Sequence, residues 1–394
     1  MNLSPAQQRL SNAASVPIIL PDELITELLS FLPVKSLMPM NCVCKSWRTL
    51  ISDSSFTKLQ LQRSTRNPQL AVTRVVYNYT ERTLDAYVSP ISLSHFLENL
   101  SKPITLTNDP YYCLNEDSHS VVGSCNGLLC LYGYSDKSRE MWLRFWNPAT
   151  RTISDKLGHY PDVVTRYYYM SFGYDNSTDT YKVVILHRGA RVFSLDDNVW
   201  RNIHRFPISY YLNDGVHFRG SVNWLAIDNY IFDNYDEEDY YDCEYITTIK
   251  QFKIVSVDLG TETYKKFLPP RGFVQVPYTE PSLCVLMDCL CFSHVVEQTH
   301  FVLWKMTDYG VEESWTQLIK INFQIMKKFH HEGVPWVPLH LSNNYDTLLL
   351  ENNLEDIPVV YNLRDGSVER IRIANGQCYR LYINDYVESL VLCH

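Results

Sequence analysis

Histidine and cysteine are the residue types in this sequence that could hold a metal ion or act as nucleophiles. The stretch FHHEGVPWVPLH at 329–340 comes nearest to a metal-binding pattern, but it lacks the HExxH spacing of zinc peptidases, and its two prolines predict a loop. Two close cysteine pairs, Cys42/Cys44 and Cys289/Cys291, have C-x-C spacing instead of the C-x-x-C or Cys/His spacing of zinc sites. The sequence therefore predicts no metal site and no cofactor.

Motifs for covalent or phosphate chemistry are also missing from the sequence. It contains no G-x-x-x-x-G-K-[ST] loop, no G-x-G-x-x-G turn and no G-x-S-x-G nucleophile elbow. A propeller hydrolase that acts through paired carboxylates near its axis is the remaining enzymatic alternative, and no motif supports it. The motifs therefore give no support to an enzyme, and the family resemblance described below implies a chain that carries out no covalent chemistry of its own.

The most acidic segment of the chain is DNYIFDNYDEEDYYDCEY, residues 228–245, with eight acidic residues and no basic one. It is either a solvated loop or a contact surface for a basic partner, and its spacing does not follow a calcium-binding loop. On the second hypothesis the candidate target-binding residues are Asp233, Asp236, Glu237, Glu238, Asp239 and Tyr240. The segments Tyr167–Tyr169 and Tyr210–Asn213 are further candidates, because loops on a rigid scaffold often carry binding residues.

The composition is that of a globular protein with an acidic balance. Of 394 residues 45% are apolar, and the formal net charge is −9, so the basic stripe that a nucleic-acid partner requires is not expected. No stretch approaches the ~18 apolar residues that cross a membrane, and no membrane partner is expected. Eleven cysteines without a disulfide framework, and an N-terminus without a signal-peptide pattern, predict a reducing compartment, the cytoplasm and/or the nucleus.

The predicted secondary structure changes along the chain, from helices near the N-terminus to strands in the remainder. Residues 20–51, LPDELITELLSFLPVKSLMPMNCVCKSWRTLI, have the apolar spacing of helices that begin near Asp22 and after Pro33. A further amphipathic segment, SSFTKLQLQ, ends near residue 62. Together with the two helices before it, this segment gives three short predicted helices. A unit this small rarely buries enough apolar surface to fold alone. We expect it to pack against the following domain, to present an apolar face to a partner, or both.

Downstream, the sequence has the pattern of β-hairpins. Apolar runs alternate into turns of Asn, Asp, Gly, Pro or Thr, and equivalent positions recur at Asn147, Ser194, Asp258, Lys305 and Asn362. Intervals near ~50 residues are typical of propeller blades of about four strands. A β-sandwich is the alternative, because short alternating strands fit it too. We predict a multidomain α+β chain, a small three-helix unit followed by a large all-β, propeller-like domain of five or six blades.

The helical stretch resembles an F-box, the motif that docks onto the adaptor subunit of cullin-RING ubiquitin ligases. The matching elements are Leu20-Pro21, LPVKSL at 32–37, VCKSW at 43–47, and Phe56. One departure is Met38-Pro39-Met40 inside the second helix. Because proline inside a helix costs ~3 kcal/mol, we expect the helix to end before Pro39 or the affinity for the adaptor to be reduced.

The downstream part resembles the plant F-box-associated interaction domain, which is described as kelch-like. The similar phrases are GSCNGLLCL at 123–131, WNPATR at 146–151 and FGYDNSTDTYKVV at 172–184. S-locus F-box proteins share this layout. The resemblance divides the chain into a flexible tail (1–17), an F-box (18–62), a connecting region with short strands (63–119) and a propeller-like substrate-binding domain (120–394).

The resemblance implies a substrate-recruiting subunit of an SCF-type ubiquitin ligase. The F-box would seat the chain on the adaptor and, through it, on the cullin, while the β domain would bind an unknown target protein. Adaptor contact would involve Leu20, Pro21, Ile25, Leu28, Leu29, Pro33, Val34, Leu37, Val43, Trp47 and Leu50. Some of these residues must fill the interior of the unit, and Trp47 is the expected anchor because a large amphipathic ring suits a desolvated hot spot. The alternative is a propeller interaction protein whose F-box no longer engages the adaptor.

Overall fold

The computed structural model describes residues 20–78, 83–98, 102–106, 109–114, 120–135, 137–161, 169–187, 189–207, 209–228, 248–326, 335–352, 358–374 and 380–393. A helical unit comes first in the chain, and a β domain follows it. No helix in these ranges is long and apolar enough to cross a membrane.

The helical unit comprises four short helices. They are α1 (Asp22–Ser30), α2 (Val34–Met40), α3 (Lys45–Ile51) and α4 (Ser54–Ser64). Pro21 and Pro33 lie at the N-caps of α1 and α2, while the N-caps of α3 and α4 are a cysteine and an aspartate whose side chains accept backbone hydrogen bonds. The second predicted helical stretch is therefore divided into α2 and α3.

The proline in α2 lies in the last turn of that helix. Helix α2 ends at Met40, one residue after Pro39, and the backbone N–H of Cys42 donates to the carbonyl of Pro39 over 3.0 Å. An exposed proline at this position removes one hydrogen bond at a helix end, where the helix has few further bonds to lose. The helix thus ends just after the proline, so the first of the two expected outcomes, an end before Pro39, is wrong. The second, a reduced affinity for the adaptor, stays a prediction.

The β domain begins with strands that the sequence analysis assigned to a connecting region. They are β1 (Gln69–Asn78), β2 (Thr83–Ser92), β3 (Ile104–Thr105) and β4 (Cys113–Leu114), with helix α5 (Leu93–Glu98) after β2. Next come β5 (Ser120–Cys125), β6 (Leu128–Ser135), β7 (Glu140–Asn147), β8 (Thr152–Ile153) and β9 (Leu157–Pro161). A third group comprises β10 (Tyr169–Asp175), β11 (Thr180–Leu186), β12 (Ala190–Ser194) and β13 (Val199–Ile203).

The second half of the β domain continues the same up-and-down order. It contains β14 (Tyr210–Tyr211), β15 (Val216–Phe218), β16 (Ser221–Ile227), β17 (Phe252–Asp258) and β18 (Thr263–Phe267). Then follow β19 (Ser282–Leu286), β20 (Cys289–Val296), β21 (His300–Met306), β22 (Trp315–Asn322) and helix α6 (Phe323–Met326). The last elements are β23 (Trp336–Leu341), β24 (Thr347–Asn352), β25 (Val359–Asn362), β26 (Val368–Arg370), β27 (Ile373–Ala374) and β28 (Arg380–Tyr386). Short 3-10 turns lie at Pro110–Tyr112, Ile249–Gln251 and Glu312–Ser314.

These strands form the six blades of a β-propeller. Blade 1 has the order β28-β1-β2-β4, blade 2 β5-β6-β7-β8 with β9 on β7, and blade 3 β10-β11-β12-β13. Blade 4 has the order β14-β16-β17-β18 with β15 on β16, blade 5 β19-β20-β21-β22, and blade 6 β23-β24-β25-β26. Strands β28, β5, β10, β15, β19 and β23 succeed one another around the axis and form an inner ring.

Hydrophobic clusters between neighbouring blades show that the ring is closed. One cluster packs β1 and β28 against β24 and β25, so that blade 6 meets blade 1. Five further clusters fill the remaining blade interfaces. Because each blade is covered on both faces, its central strands are buried throughout, as in β11 and β16. The propeller prediction is confirmed and the sandwich alternative is wrong.

Closure of the ring depends on the C-terminal strand. Strand β28 pairs antiparallel with β1, from Gln69 opposite Tyr386 to Val75 opposite Arg380. A sequence-local pattern cannot show this pairing, since its partners lie more than 300 residues apart in the ~400-residue chain. The range 63–119 therefore contributes three strands to blade 1.

Candidate functional site

The interior of the helical unit includes a residue from the far end of the chain. Its buried cluster consists of Leu29, Val34, Leu37, Ile51, Phe56 and Leu390. Ala149, from the turn after β7, packs against the same cluster. The helical unit therefore completes its core with side chains of the propeller.

Outside this cluster, the helical unit leaves large apolar side chains in solvent. Five of them are between 45% and 62% exposed, and we call this set the helical-unit surface: Leu20, Leu24, Leu28, Phe31 and Val43. Leu24 and Leu28 are one helical turn apart on α1, so they lie on the same face. Next to them, the Arg63 guanidinium lies 3.7 Å from the Phe31 ring centroid and bonds the Glu27 carboxylate over 2.6 Å. Helix α4 thus holds one border of the surface.

The residues predicted to contact the adaptor are divided between the interior and the outside. Ile25, Leu29, Val34, Leu37, Trp47 and Leu50 belong to the buried cluster or pack against it. Leu20, Pro21, Leu28, Pro33 and Val43 are exposed. Leu24 and Phe31 share this exposure, but neither was predicted to contact the adaptor. Leu24 belongs to the same i, i+4 apolar pattern as Leu28, a signal that could have included it.

The phrase WNPATR forms the junction between the propeller and the helical unit. The buried Asn147 side chain donates through Nδ2 to the carbonyls of Ser389 and Val391, at 2.9 and 2.8 Å. Its Oδ1 accepts the N–H groups of Ala149 and Thr150, at 3.0 and 3.2 Å. One amide therefore fixes both the turn and the C-terminal segment that carries the leucine of the helical-unit core.

Gly127, in the phrase GSCNGLLCL, allows the C-terminal segment around Ser389 to lie close to the turn after β5. Asn126 and Gly127 both have positive φ, 50° and 85°, as a tight hairpin turn requires. A Cβ atom on Gly127 would lie 2.2 Å from the Ser389 Oγ. A larger residue would therefore displace the C-terminal segment.

The phrase FGYDNSTDTYKVV joins blade 3 to blade 4 and to the helical unit. The buried Lys182 Nζ lies 3.2 Å from Asp175, 3.1 Å from Glu262 and 2.5 Å from the Leu259 carbonyl of blade 4. Burial alone would raise the pKa of Asp175, but hydrogen bonds from Thr178, Ser177 and Lys182 hold it well below its usual range. On the same hairpin, Asp179 pairs with Lys58 of α4 over 3.0 Å at the surface.

A cavity of about 600 Å³ lies beside the junction between the propeller and the helical unit. Lys35 of α2, Arg151 and Tyr112 line it together with Glu388. The Glu388 carboxylate already accepts the Val34 N–H over 3.1 Å, and Arg151 lies over the Tyr111 ring at 4.9 Å. The Glu388 bond thus joins the two units, whereas the Arg151–Tyr111 contact lies within the propeller. Within the part of the chain that the structure describes, no three His, Cys, Asp or Glu side chains are grouped as metal ligands.

The propeller has one face toward the helical unit and one away from it. The turns 126–127, 148–151 and 176–179 lie on the face toward the helical unit, which we call the near face, as the contacts of Gly127, Ala149 and Asp179 show. Because all inner strands run in the same direction, the loops that precede them lie on the opposite, far face. The candidate residues Asp233, Asp236, Glu237, Glu238, Asp239 and Tyr240 lie outside the described residues.

Comparison with known proteins assigns both parts of the chain. Residues 18–59 match the F-box-like family model, and residues 82–393 match the model described as F-box associated beta propeller domain. An F-box/kelch-repeat protein of Arabidopsis thaliana is 29% identical over 77% of this chain and 80% of its own length. A second Arabidopsis thaliana F-box protein is 25% identical over 75% of this chain and 89% of its own.

Proposed function

The chain belongs to the F-box associated beta propeller family, and from this membership we propose that it recruits substrates to an SCF-type ubiquitin ligase. The helical unit would bind the adaptor subunit and, through it, the cullin. The propeller would hold the target protein, and the transfer of ubiquitin would be carried out by other subunits. This role belongs to the cytoplasm and/or the nucleus, and the nine described cysteines, all free, agree with a reducing compartment.

The helical-unit surface is the observation that carries this proposal. Its side chains are left in water although the unit has an interior of its own, and burial of each large apolar side chain contributes about 1.5–3 kcal/mol. An exposed apolar face on a small helical unit is the feature that helix-on-helix docking uses. We therefore assign adaptor contact to Leu20, Leu24, Leu28, Phe31 and Val43, together with the exposed Pro21 and Pro33.

The experiment is co-purification of the full chain with a plant adaptor subunit, followed by titration. We expect the double substitution Leu24→Ser/Leu28→Ser to weaken binding by about 100-fold or more, since two central apolar contacts are lost. The matched control is Val199→Ser/Val311→Ser, two similarly exposed valines on the propeller, which should bind like the wild type.

Two results would argue against the proposal. Adaptor binding that survives Leu24→Ser/Leu28→Ser would place the contact elsewhere on the chain. A wild-type chain that fails to bind any adaptor would favour the alternative, a propeller interaction protein whose F-box is inactive.

A further inference from the structure

The loop between β18 and β19, residues 268–281, is held firmly at both ends. The Phe273 ring is buried and makes edge contacts with Phe252 and Phe292 at centroid distances of 5.1 and 5.0 Å. Gly272 lies against the Trp304 ring so closely that a Cβ atom would lie 2.2 Å from it. Thr279 is buried as well. The segment between these anchors is therefore presented in a fixed position on the far face.

This anchored segment projects apolar side chains away from the protein. Val274 is 73% exposed, Val276 44% and Tyr278 60%. The backbone groups of residues 274–276 take part in none of the hydrogen bonds found among the described residues. An extended peptide could therefore pack on these apolar side chains and donate to or accept from the backbone groups of the loop.

Two carboxylates occupy equivalent positions of neighbouring blades, and one of them, Glu280, follows Tyr278 by two residues. Asp214 precedes β15 by two residues, and Glu280 precedes β19 by two. The Asn213 Nδ2 donates to the Pro281 carbonyl over 3.2 Å, which brings the two chain segments together at the inner ring. Both carboxylates are exposed to solvent, and in the described part of the chain no Lys, Arg or His side chain pairs with either one.

The surroundings of these carboxylates disfavour their charge. Both residues keep an exposed part, but the surrounding protein excludes much of the water from their carboxyl groups. This desolvation raises the pKa of Asp214 to about 6, against the lowering effect of a hydrogen bond from the Met170 backbone, and it raises the pKa of Glu280 as well. A charged group that reaches solvent and is crowded by protein costs stability unless a cation meets it. The two carboxylates thus provide a place for a cation that the described chain itself does not supply.

We propose that Asp214, Glu280, Val274, Val276 and Tyr278 form the target-binding surface, and that its occupant is an extended segment of a target protein with aliphatic side chains next to a lysine or arginine. The aliphatic side chains would pack on the two valines and the tyrosine, and the cation would pair with the two carboxylates. This inference rests on the proposed function, because it names the partner that the ligase subunit recruits. It places that partner on the far face, where the helical unit and its adaptor cannot obstruct it.

The test is selection from a phage-displayed library of random linear peptides on the immobilised full chain. Counter-selection uses the variant Val274→Ser/Val276→Ser, so that recovered peptides depend on the loop. We expect these peptides to be enriched in Lys or Arg beside aliphatic residues. Recovery of no loop-dependent peptide, or of peptides without basic residues, would overturn the inference.

Recovered peptides are then titrated against a charge variant and its matched control. Asp214→Asn/Glu280→Gln should weaken binding by about tenfold at low salt and by less at ~0.5 M salt, where screening is strong. Asp196→Asn/Asp308→Asn removes the same charge from exposed near-face turns and should bind like the wild type. Equal weakening by both variants would overturn the assignment of the carboxylates.

Melting temperature and adaptor binding show whether the two carboxylates serve a partner or the fold. Because they are uncompensated, Asp214→Asn/Glu280→Gln should not lower the melting temperature, and a lowered melting temperature would indicate a structural role instead. The valine variant and the charge variant should both bind the adaptor like the wild type. A wild-type chain that does not bind the adaptor would therefore contradict the proposed function, whereas loss of peptide binding in the variants concerns only the far-face surface. Hydrolysis of 4-nitrophenyl glycosides that is lost in the charge variant would assign the carboxylates to catalysis and overturn the inference.

Discussion

The helical unit and the propeller solve the problem of burying apolar residues in different ways. The propeller fills every interface between neighbouring blades from its own strands. The helical unit has one small cluster, which includes Leu390 and touches Ala149 of the propeller, and it leaves a second apolar face in water. The propeller is therefore the scaffold, and the helical unit is held on it through Leu390 and Ala149 while its exposed apolar side chains remain available.

Replacement of Lys182, the buried lysine of blade 3, should have the largest effect on the stability of the propeller. Lys182→Met leaves Asp175 and Glu262 together without their cation, so we expect the free energy of unfolding to fall by about 3–5 kcal/mol. Chemical denaturation measures this change. Lys58→Met, which breaks an exposed pair with the neighbouring Asp179, is the control and should cost less than about 1 kcal/mol. Similar losses in the two variants would mean that the buried pair does not hold blades 3 and 4 together.

Removal of the leucine shared by the two units should uncouple them. Leu390→Ala is expected to cost about 3 kcal/mol, because a buried leucine leaves a cavity, and the loss should fall on the helical unit. Limited proteolysis should therefore cut within residues 20–64 first, and adaptor binding should weaken. Leu392→Ala, an exposed leucine two residues away, is the matched control. A variant that unfolds as a single unit with an unchanged proteolysis pattern would contradict the view of the propeller as an independent scaffold.

A smaller effect on the free energy of unfolding, which depends on pH, is expected from His217, where blades 2, 3 and 4 meet. The His217 ring nitrogens lie 3.1 Å from the Tyr174 carbonyl and 3.7 Å from the Cys125 Sγ, and burial lowers the pKa of His217 to about 4 from its ordinary value of 6.5. Between these two pH values the unfolded chain binds the proton and the folded chain does not, so stability is lost as the pH falls through this window. The loss within this window should be about 2.5 kcal/mol, because each pKa unit corresponds to about 1.4 kcal/mol and each state is only half titrated at one end of the window.

The matched variant for this prediction is His217→Gln, which keeps a hydrogen-bonding side chain without the titration. The difference in unfolding free energy between wild type and variant should shrink as the pH falls from 6.5 to 4. His294, whose pKa burial also lowers to about 4, is present in both proteins and cancels. A difference that stays constant with pH would show that His217 does not titrate in the folded protein as expected.

Local sequence patterns predicted a large part of this structure because local physics determines it. Pro21 and Pro33 lie at the start of helices, and the Asn126-Gly127 pair forms a tight turn between two strands. The strand repeats after residue 120 identified the propeller, since each hairpin has its own alternating pattern. The F-box phrases located the candidate adaptor site in the helical unit.

The remaining features depend on contacts between distant parts of the chain. Periodicity shows that α1 is apolar but not which of Leu28 and Leu29 is buried, because the side that the propeller covers is set by Leu390. Pairing of β28 with β1 likewise has no local signal, so residues 63–119 looked like a connection. The far-face loop was not predicted either, because Phe273 and Gly272 are anchored by side chains of another blade.

The position of residues 380–393 has a consequence for the order in which the protein can be made. Strand β28 closes the propeller ring, and the segment after it contributes Leu390 to the helical unit, which precedes every strand of the propeller in the chain and is therefore synthesised before them. The helices must therefore wait, with an incomplete core, until almost the whole chain has been synthesised. A product that ends before residue 380 lacks both the closing strand and this leucine, so neither the propeller ring nor the core of the helical unit can be completed in it.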